Sequence, residues 1–341
     1  MYHQHLTIGV VIVSFNTRDL LRACLHSLHA CTLPLRVVVV DNASADGSAT
    51  MVRAEFPGVC LVALSENVGF AAGTNIGLRQ LDKMTRWQDD RVTSKTLNSA
   101  PLTLSPAHHV TLSVDYVLLL NPDTVVQPGA IEAMVAFLHA HPRVGLVGPH
   151  LLNPDGTTQT AAFRFPTLLM TALDLFPPGE VLPGRLYNSW WHGRYPQEGA
   201  GEEPFPIDHP LGACMLARRE VIEQVGMLDE QFFMYAEEVD WCYRIRQAGW
   251  AIWQVPEARV THVGGAATRQ FRSRMLVALY ESRLRFFRKH YPAGVVRWHR
   301  WIIHAGMLRA ALLTWRDYAR GEISRAELRA RLWAYGRVAQ L

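Results

Sequence analysis

The sequence predicts an α/β fold in which a mostly parallel central sheet is flanked by helices and followed by a helical extension at the C-terminus. Three observations predict it: apolar runs that are continuous rather than alternating, helical periodicity between them, and a polar residue where each run ends. A strand covered on both faces needs an apolar side chain at nearly every position, which is the pattern of a buried parallel sheet. The 341 residues, 49% of them apolar, suffice for one large core or two medium ones.

Ile8 to Ser14 is the first β-rich run, and "TRDLLRACLHSLHA" after it sets Leu20, Leu21, Cys24, Leu25 and Leu28 at helical spacing. "LRVVVVDNASADGS" repeats the pattern and ends in Asp41-Asn42. "VCLVALSENVGFAAGTNIGL" repeats it again with a Gly-rich junction. Between Leu81 and Ser113 the periodicity lapses and Pro101 and Pro106 intervene, so a surface loop or insertion is expected over 82–114. The run "YVLLL" then delivers Asn121-Pro122-Asp123 to its end. Phe176 to Pro210 is loop-like, with Tyr187, Trp190, Trp191 and Tyr195, and reads either as a packed cover over the core or as an acceptor-binding lid.

"GACMLARREVIEQVG" is a strand running into a helix, and "MYAEEVDWCYRIRQAG" is a helix closed by Gly249. "WAIWQVPEARVTHVGGAAT" supplies one or two strands and a Gly-rich turn. From Arg272 the chain reads as helical to its end, with a break at Tyr291-Pro292. In open sheets of this kind ligands sit beyond the carboxyl ends of the strands, where Asn16, Asp41, Asn67 and Asp123 all fall.

The five cysteines include no Cys-x-x-Cys pair, so neither a disulfide framework nor a zinc knuckle is expected and a reducing cytoplasm fits. The N-terminal apolar run lacks a basic flank and is too short for a signal peptide or a membrane span; no transmembrane helix is expected. The net charge of +4 conceals an asymmetry: from Phe271 onward there are 15 Arg or Lys against four Asp or Glu. Basic charge is concentrated in the tail.

Three clusters carry chemistry. Asp123 at a strand end suits a hard divalent cation, which takes one or two protein carboxylates beside substrate phosphates; alone it reads equally as a turn residue. Glu237, Glu238 and Asp240 lie within four residues on a helix, where residues one or two apart face different directions, so at least one must point away from the others. Such carboxylates suit removal of a proton from an attacking hydroxyl, or else form a solvated face paired with Arg244 and Arg246. His262 precedes Gly264 and Gly265, which let backbone approach a phosphate closely.

Taken in order, "VVIVSFN", "VVVVDNASADGS", "ENVGFAAGTNIG", "YVLLLNPDTVV", "GACMLARREV", "FFMYAEEVDWCYRIRQAGW" and "HVGGAAT" resemble the family 2 glycosyltransferases with the GT-A fold, and within them a rhamnosyltransferase-like branch. The resemblance covers about Ile8 to Thr268. It implies a Rossmann-like sheet and a glycosyltransferase domain over 1–270, with a nucleotide-binding half to about residue 123 and an acceptor half over 124–270. It also implies a nucleotide pocket formed by Ser14, Phe15 and Asn16 with Asp41 as the base-recognising acid, and a nucleotide-sugar side lined by Gly69, Phe70 and Asn75. The family's Asp-x-Asp metal motif falls on Asn121-Pro122-Asp123, leaving Asp123 as the carboxylate ligand for Mn²⁺ or Mg²⁺, with His262 on the metal or diphosphate. The family's catalytic pair falls on Glu237-Glu238, which makes Glu238 the first choice as base and Asp240 the second.

The activity so implied is inverting, metal-dependent transfer from a nucleotide-diphosphate sugar, dTDP-rhamnose in the nearest branch with UDP-linked hexoses and galactofuranose as alternatives, to a glycan or lipid-linked acceptor in surface polysaccharide synthesis. Two rivals stand against it. A Rossmann dehydrogenase would use Asp41 on a ribose, but the first strand is followed by "SFNTRD" where a Gly-x-Gly-x-x-Gly fingerprint belongs. An inactive nucleotide-sugar-binding module would keep the pocket, yet the acids at 237, 238 and 240 are retained. The basic extension over 271–341, with "FRSRMLVALYESRLRFFRKHYP" at its start, reads either as helices packed on the catalytic domain or as a peripheral contact with an anionic membrane at its inner face. No nucleic-acid module accompanies its charge.

Overall fold

The computed structural model describes residues 6–92, 114–177, 189–199, 203–264 and 272–341. The first three apolar runs form β1 (Ile8–Ser14), β2 (Leu35–Asp41) and β3 (Cys60–Ala63), alternating with α1 (Arg18–Leu28), α2 (Ser48–Glu55) and α3 (Phe70–Val92). β1 pairs in parallel with β2, Ser14 opposite Asp41, and with β4 (Tyr116–Leu120), Ile12 opposite Leu120. This register brings Ser14, Asp41 and the Asn121–Asp123 turn to one edge of the sheet.

The chain continues through β5 (Thr124–Val126), α4 (Ala130–Ala140), β6 (Val144–Leu152), β7 (Thr158–Gln159), β8 (Ala162–Phe163) and α5 (Leu168–Leu175). Then come β9 (Phe205–Pro206), β10 (His209–Pro210), β11 (Cys214–Arg218), α6 (Arg219–Val225), α7 (Glu237–Gln247) and β12 (Ala251–His262). The main sheet has the order β3-β2-β1-β4-β11-β6-β12-β5. Its strands are parallel from β3 to β4 and between β6 and β12, whereas β11 runs antiparallel to both of its neighbours. Cys214 to Ala217 are all buried. A strand covered on both faces is apolar whichever way it runs, so its reversal left no mark in the sequence.

Leu21, Leu25, Met51, Ile131 and Leu138 from α1, α2 and α4 cover one face of the sheet. Leu78, Val221, Trp241 and Ile245 from α3, α6 and α7 cover the other. The expected loop over 82–114 begins instead as helix, because α3 continues to Val92. Once a helix is nucleated on a buried face, each added residue gains a hydrogen bond without a new nucleation cost, and polar residues suffice to prolong it. Residues 93–113 of that segment lie outside the described residues.

In the loop-like region over 176–210, Tyr187 lies outside the described residues. Tyr195 is buried, and the buried Glu198 carboxylate accepts hydrogen bonds from the Ala161 and Ala162 amides and from Gln254 Nε2. This part is a packed cover, with Trp190 and Trp191 exposed on its outside.

α8 (Arg272–His290), α9 (Ala293–Ala319) and α10 (Arg325–Ala339) form the C-terminal extension. Among the described residues no helix is long and apolar enough to cross a membrane. The apolar face expected on α8 is turned inward: Tyr280, Leu284, Phe286 and Phe287 are buried, and Phe286 and Phe287 pack with Phe232 and Val239. His299 stacks on Phe287 with ring centroids 3.8 Å apart. Ser282 Oγ donates to the Met234 carbonyl at 2.7 Å, and Tyr291 Oη donates to the Pro166 carbonyl at 2.7 Å.

Candidate active site

At the ends of β1 and β2 the backbone turns sharply, and Asn16 (φ 52°) and Ala43 (φ 65°) take left-handed conformations that L-residues rarely adopt. Local hydrogen bonds hold them there: Asn16 N donates to Ser44 Oγ at 2.9 Å, Ala45 N to Asn16 Oδ1 at 2.8 Å, and Ser44 N to Asp41 Oδ2 at 3.2 Å. Ser14 Oγ shares a proton with Thr17 Oγ1 at 2.9 Å, and Phe15 is half-buried beside it. The other oxygen of Asp41, Oδ1, is buried and accepts no hydrogen bond among the described residues. A buried carboxylate oxygen without a donor is costly unless a ligand supplies one.

Asn42, which the sequence reading passed over, organises the neighbouring loop. Its Nδ2 donates to Asn67 Oδ1 at 2.9 Å and to the Gly69 carbonyl at 3.1 Å, and its Oδ1 accepts from Val68 N at 2.9 Å. Its position directly after Asp41 at a strand end was the available signal. Gly69 (φ 88°) lies against Phe233, whose carbonyl oxygen would collide with a Cβ there, and Phe70 N donates to that same carbonyl at 2.8 Å. Asn75 is consumed by the fold: its Nδ2 donates to the Leu228 carbonyl and to Glu230, and its Oδ1 accepts from Leu228 N. With both ends of the amide engaged, it clamps α3 to the 228–233 segment.

Asp123 is 7% exposed and lies 3.3 Å from His262 Nε2 through its Oδ1. The pairing follows from topology, since β5 runs antiparallel to β12 with Thr124 opposite His262, and Val263 N donates to the Asp123 carbonyl. The other ring nitrogen of His262, Nδ1, lies 2.6 Å from Gln159 Oε1. Gln159 Nε2 in turn donates to Asn153 Oδ1 and to the His262 carbonyl. These two acceptors fix which end of the amide faces the ring, so His262 Nδ1 carries a proton, and Nε2 is the nitrogen that faces Asp123. Gln159, on the two-residue strand β7, carried no recognisable signal in the sequence.

A carboxylate and an imidazole nitrogen at adjoining strand ends could hold a divalent cation, leaving its remaining positions to phosphate oxygens and water. Among the described residues no group of three or more His, Cys, Asp or Glu gathers as a self-sufficient metal site. Asn121 is fixed by its backbone, N to the Ala213 carbonyl at 2.8 Å, and its side chain is half-buried. Gly265 to Thr268 lie outside the described residues.

The three acids of α7 diverge as helical geometry requires. The helix opens on Tyr235 (φ 68°) and Ala236 (φ 61°), two consecutive left-handed residues of the kind that concentrates at functional sites. Asp240 points to the C-terminal extension and is wholly buried, with Arg244 at 2.9 Å, Lys289 at 2.8 Å and His290 at 2.7 Å. Glu237 and Glu238 stay at the mouth of the helix, each with Oε2 buried and without a hydrogen-bond partner among the described residues. Burial raises both carboxyls above the ordinary range, and for Glu237 the charge of Glu238 adds to the rise.

Glu238 rests on Gly212: a Cβ built there would meet Glu238 Cγ at 3.3 Å and Cδ at 3.5 Å. Gly212 directly precedes Ala213, whose carbonyl accepts from Asn121 N. The reversed strand β11 thus brings Glu238 beside the Asn121–Asp123 turn, two motifs more than a hundred residues apart in the chain.

Comparison with known proteins identifies the family. The model of the family described as "Glycosyltransferase like family 2" matches residues 4–285. An N-acetylglucosaminyl-diphospho-decaprenol L-rhamnosyltransferase of Mycobacterium tuberculosis is 28% identical over 311 residues, 89% of this chain and 92% of the relative. The low-salt glycan biosynthesis hexosyltransferase Agl10 of Haloferax volcanii is 27% identical over 211 residues, 62% of this chain and 53% of the relative. Among solved structures, a mannosyltransferase of Pyrobaculum calidifontis in complex with GDP-Man and Mn²⁺ superposes with a TM-score of 0.53 at 16% identity, covering 98% of this chain and 86% of the other. With the family match extending over most of its length, this chain belongs to the glycosyltransferase-like family 2, and it is a glycosyltransferase of the GT-A fold.

Proposed function

We propose that the chain is an inverting, metal-dependent transferase that moves rhamnose from a nucleotide-diphosphate donor to a polyprenyl-diphosphate-linked or glycan acceptor at the inner face of the cell membrane. The likeness to the M. tuberculosis rhamnosyltransferase supports the donor and acceptor classes. One observation supports the reaction type: Asp41 at the end of β2 and Glu238 against Gly212 each keep a buried carboxylate oxygen without a hydrogen-bond partner among the described residues, and Asp123 with His262 lies at neighbouring strand ends.

On this reading Asp41 Oδ1 accepts an N–H of the nucleotide base, and the Asn42–Asn67–Gly69 loop sets the width of the cleft beside it. Asp123 and His262 would hold a Mn²⁺ or Mg²⁺ ion. Such an ion, when bound, offsets the charge on the departing diphosphate. Glu238 takes the proton of the acceptor hydroxyl as its oxygen attacks the anomeric carbon from the side opposite the diphosphate. The C1–O bond to the nucleotide breaks as the new glycosidic bond forms, and configuration inverts. Asp240 serves by position, holding α7 and hence Glu238 in place.

Gln159 bears on metal affinity because it fixes the His262 tautomer. In Gln159→Leu, Mn²⁺ affinity in the presence of a nucleoside diphosphate is expected to fall about 10- to 100-fold, as read by paramagnetic resonance titration. Unchanged affinity would reduce Gln159 to a packing residue. The activity itself is tested by donor hydrolysis and transfer with a panel of nucleotide sugars, with and without Mn²⁺ or Mg²⁺. Turnover of dTDP-rhamnose with inversion, dependent on the ion, is expected. A preference for another donor would overturn the sugar assignment, and turnover undiminished by chelator would overturn the metal.

A further inference from the structure

We infer that the outer face of α9 is a docking surface for an anionic lipid bilayer, on which the helix lies flat. The inference deepens the proposed use of a lipid-linked acceptor, but it stands on observations outside the active site. Trp298, Trp301, Leu308, Leu312 and Trp315 are each between 53% and 70% exposed. With the exposed Ala305 they recur at intervals of three and four residues, which places them along one side of the helix. His299, Ile303 and Met307 lie on the opposite side and are buried against the rest of the extension.

α9 is therefore apolar on both long faces, one used in packing and one left to solvent. At 1.5 Å per residue the exposed stripe runs for about 26 Å. A stripe of that length on one helix is more than the scattered apolar residues that a surface ordinarily carries.

The composition of the stripe identifies its occupant. Tryptophan and arginine together are the residues of the membrane interface, where an indole sits among headgroups and a guanidinium binds lipid phosphate. α9 carries Arg297, Arg300, Arg309 and Arg316 against one acid, Asp317. Arg297 and Arg316 border the stripe on its two sides. A second copy of this chain is a poor occupant for the same reasons. Three tryptophans are too bulky for the knobs and holes of a helix pair, and of the bordering arginines only Arg316 has an acid beside it, its own neighbour Asp317 at 3.2 Å. Too polar to span a bilayer, the helix is suited to lie in its surface.

The anchoring of α8 and α9 on α7, through Asp240, Lys289, His290 and the stack of His299 on Phe287, makes this surface rigid with respect to Glu238.

The test is co-sedimentation of the full chain, without nucleotide sugar, with vesicles of phosphatidylcholine alone and with a quarter phosphatidylglycerol. Binding to the anionic vesicles is expected, weakening as salt rises. The double variant Trp298→Glu/Trp301→Glu should lose about tenfold or more in partitioning. Arg297→Gln/Arg300→Gln should lose the preference for phosphatidylglycerol. Both variants change exposed side chains and should keep the parent's donor hydrolysis, so a failed enzyme assignment and a failed surface assignment give different results. Equal partitioning of parent and Trp variants would overturn the inference. So would a parent dimer, seen by light scattering, that the Trp substitutions convert to monomer without altering vesicle binding.

Discussion

Glu238→Gln is expected to lower transfer by about 10²- to 10⁴-fold while leaving nucleotide affinity within about twofold, the range a positioned general base supplies. Gln keeps the shape that rests on Gly212 and removes only the proton acceptor. Isothermal titration with the nucleoside diphosphate and steady-state transfer, measured on the same preparations, separate the two effects. A matching loss in Glu237→Gln with activity retained in Glu238→Gln would move the base to Glu237, whose Oε2 is equally unpartnered among the described residues.

The pH profile gives an independent check. Burial raises the Glu238 carboxyl, and Glu237 is raised by burial and by its neighbour's charge. A base works only when ionised, so kcat/KM should climb with pH and its acid limb should lie above the ordinary glutamate value of about 4.5. The two carboxyls interact, so the limb belongs to the pair rather than to either residue. In Glu238→Gln the residual rate should lose that limb. An unshifted limb in the variant would assign it to another group.

How far the site was legible follows from what each part depends on. Strand ends are local: a buried apolar run followed by Asp41 or by Asn121-Pro122-Asp123 announces itself, and the parallel register that sets Ser14 beside Asp41 follows from the βα repeat. Helical divergence of Glu237, Glu238 and Asp240 is also local, and the sequence shows that one of them must turn away. Which one turns away is not local, because Lys289 and His290 arrive from a helix some fifty residues on.

Asn42 and Gln159 were missed for the same reason: their roles are hydrogen bonds to loops whose approach no spacing encodes. The break before α10 was within reach. Ser324-x-x-Glu327 is a capping signature, and Ser324 Oγ does accept from Glu327 N at 3.1 Å. On α8 and α9 the basic and apolar pattern was visible, but periodicity cannot tell an apolar face that packs from one that stays exposed.

Asp240→Asn is expected to destabilise the fold by about 3–5 kcal/mol, the cost of removing one partner from a buried charge cluster. The Asp240 side chain is wholly buried and meets two cationic groups, Arg244 and Lys289, and the largely buried His290 ring. Burial alone would raise its carboxyl, but Lys289, Arg244 and His290 outweigh that and hold it below the ordinary value. A carboxyl depressed in the folded state contributes stability above the unfolded pKa of about 3.8, and that contribution is lost as pH falls through the folded value. The parent should therefore lose stability on acidification in that window, and Asp240→Asn should show a flatter dependence there.

Arg244 also donates to the Val225 and Met227 carbonyls, so the cluster ties α7, the 225–227 turn and α8 into one unit. Urea unfolding at neutral pH reads the loss as a lower midpoint. Transfer by the folded fraction reads the role: a structural clamp leaves kcat reduced severalfold at most, through a loosened Glu238. A kcat loss matching that of Glu238→Gln, with an unchanged urea midpoint, would restore Asp240 as the base. The two variants thus place the proton acceptor and its support on different measurements, one a rate and the other a stability.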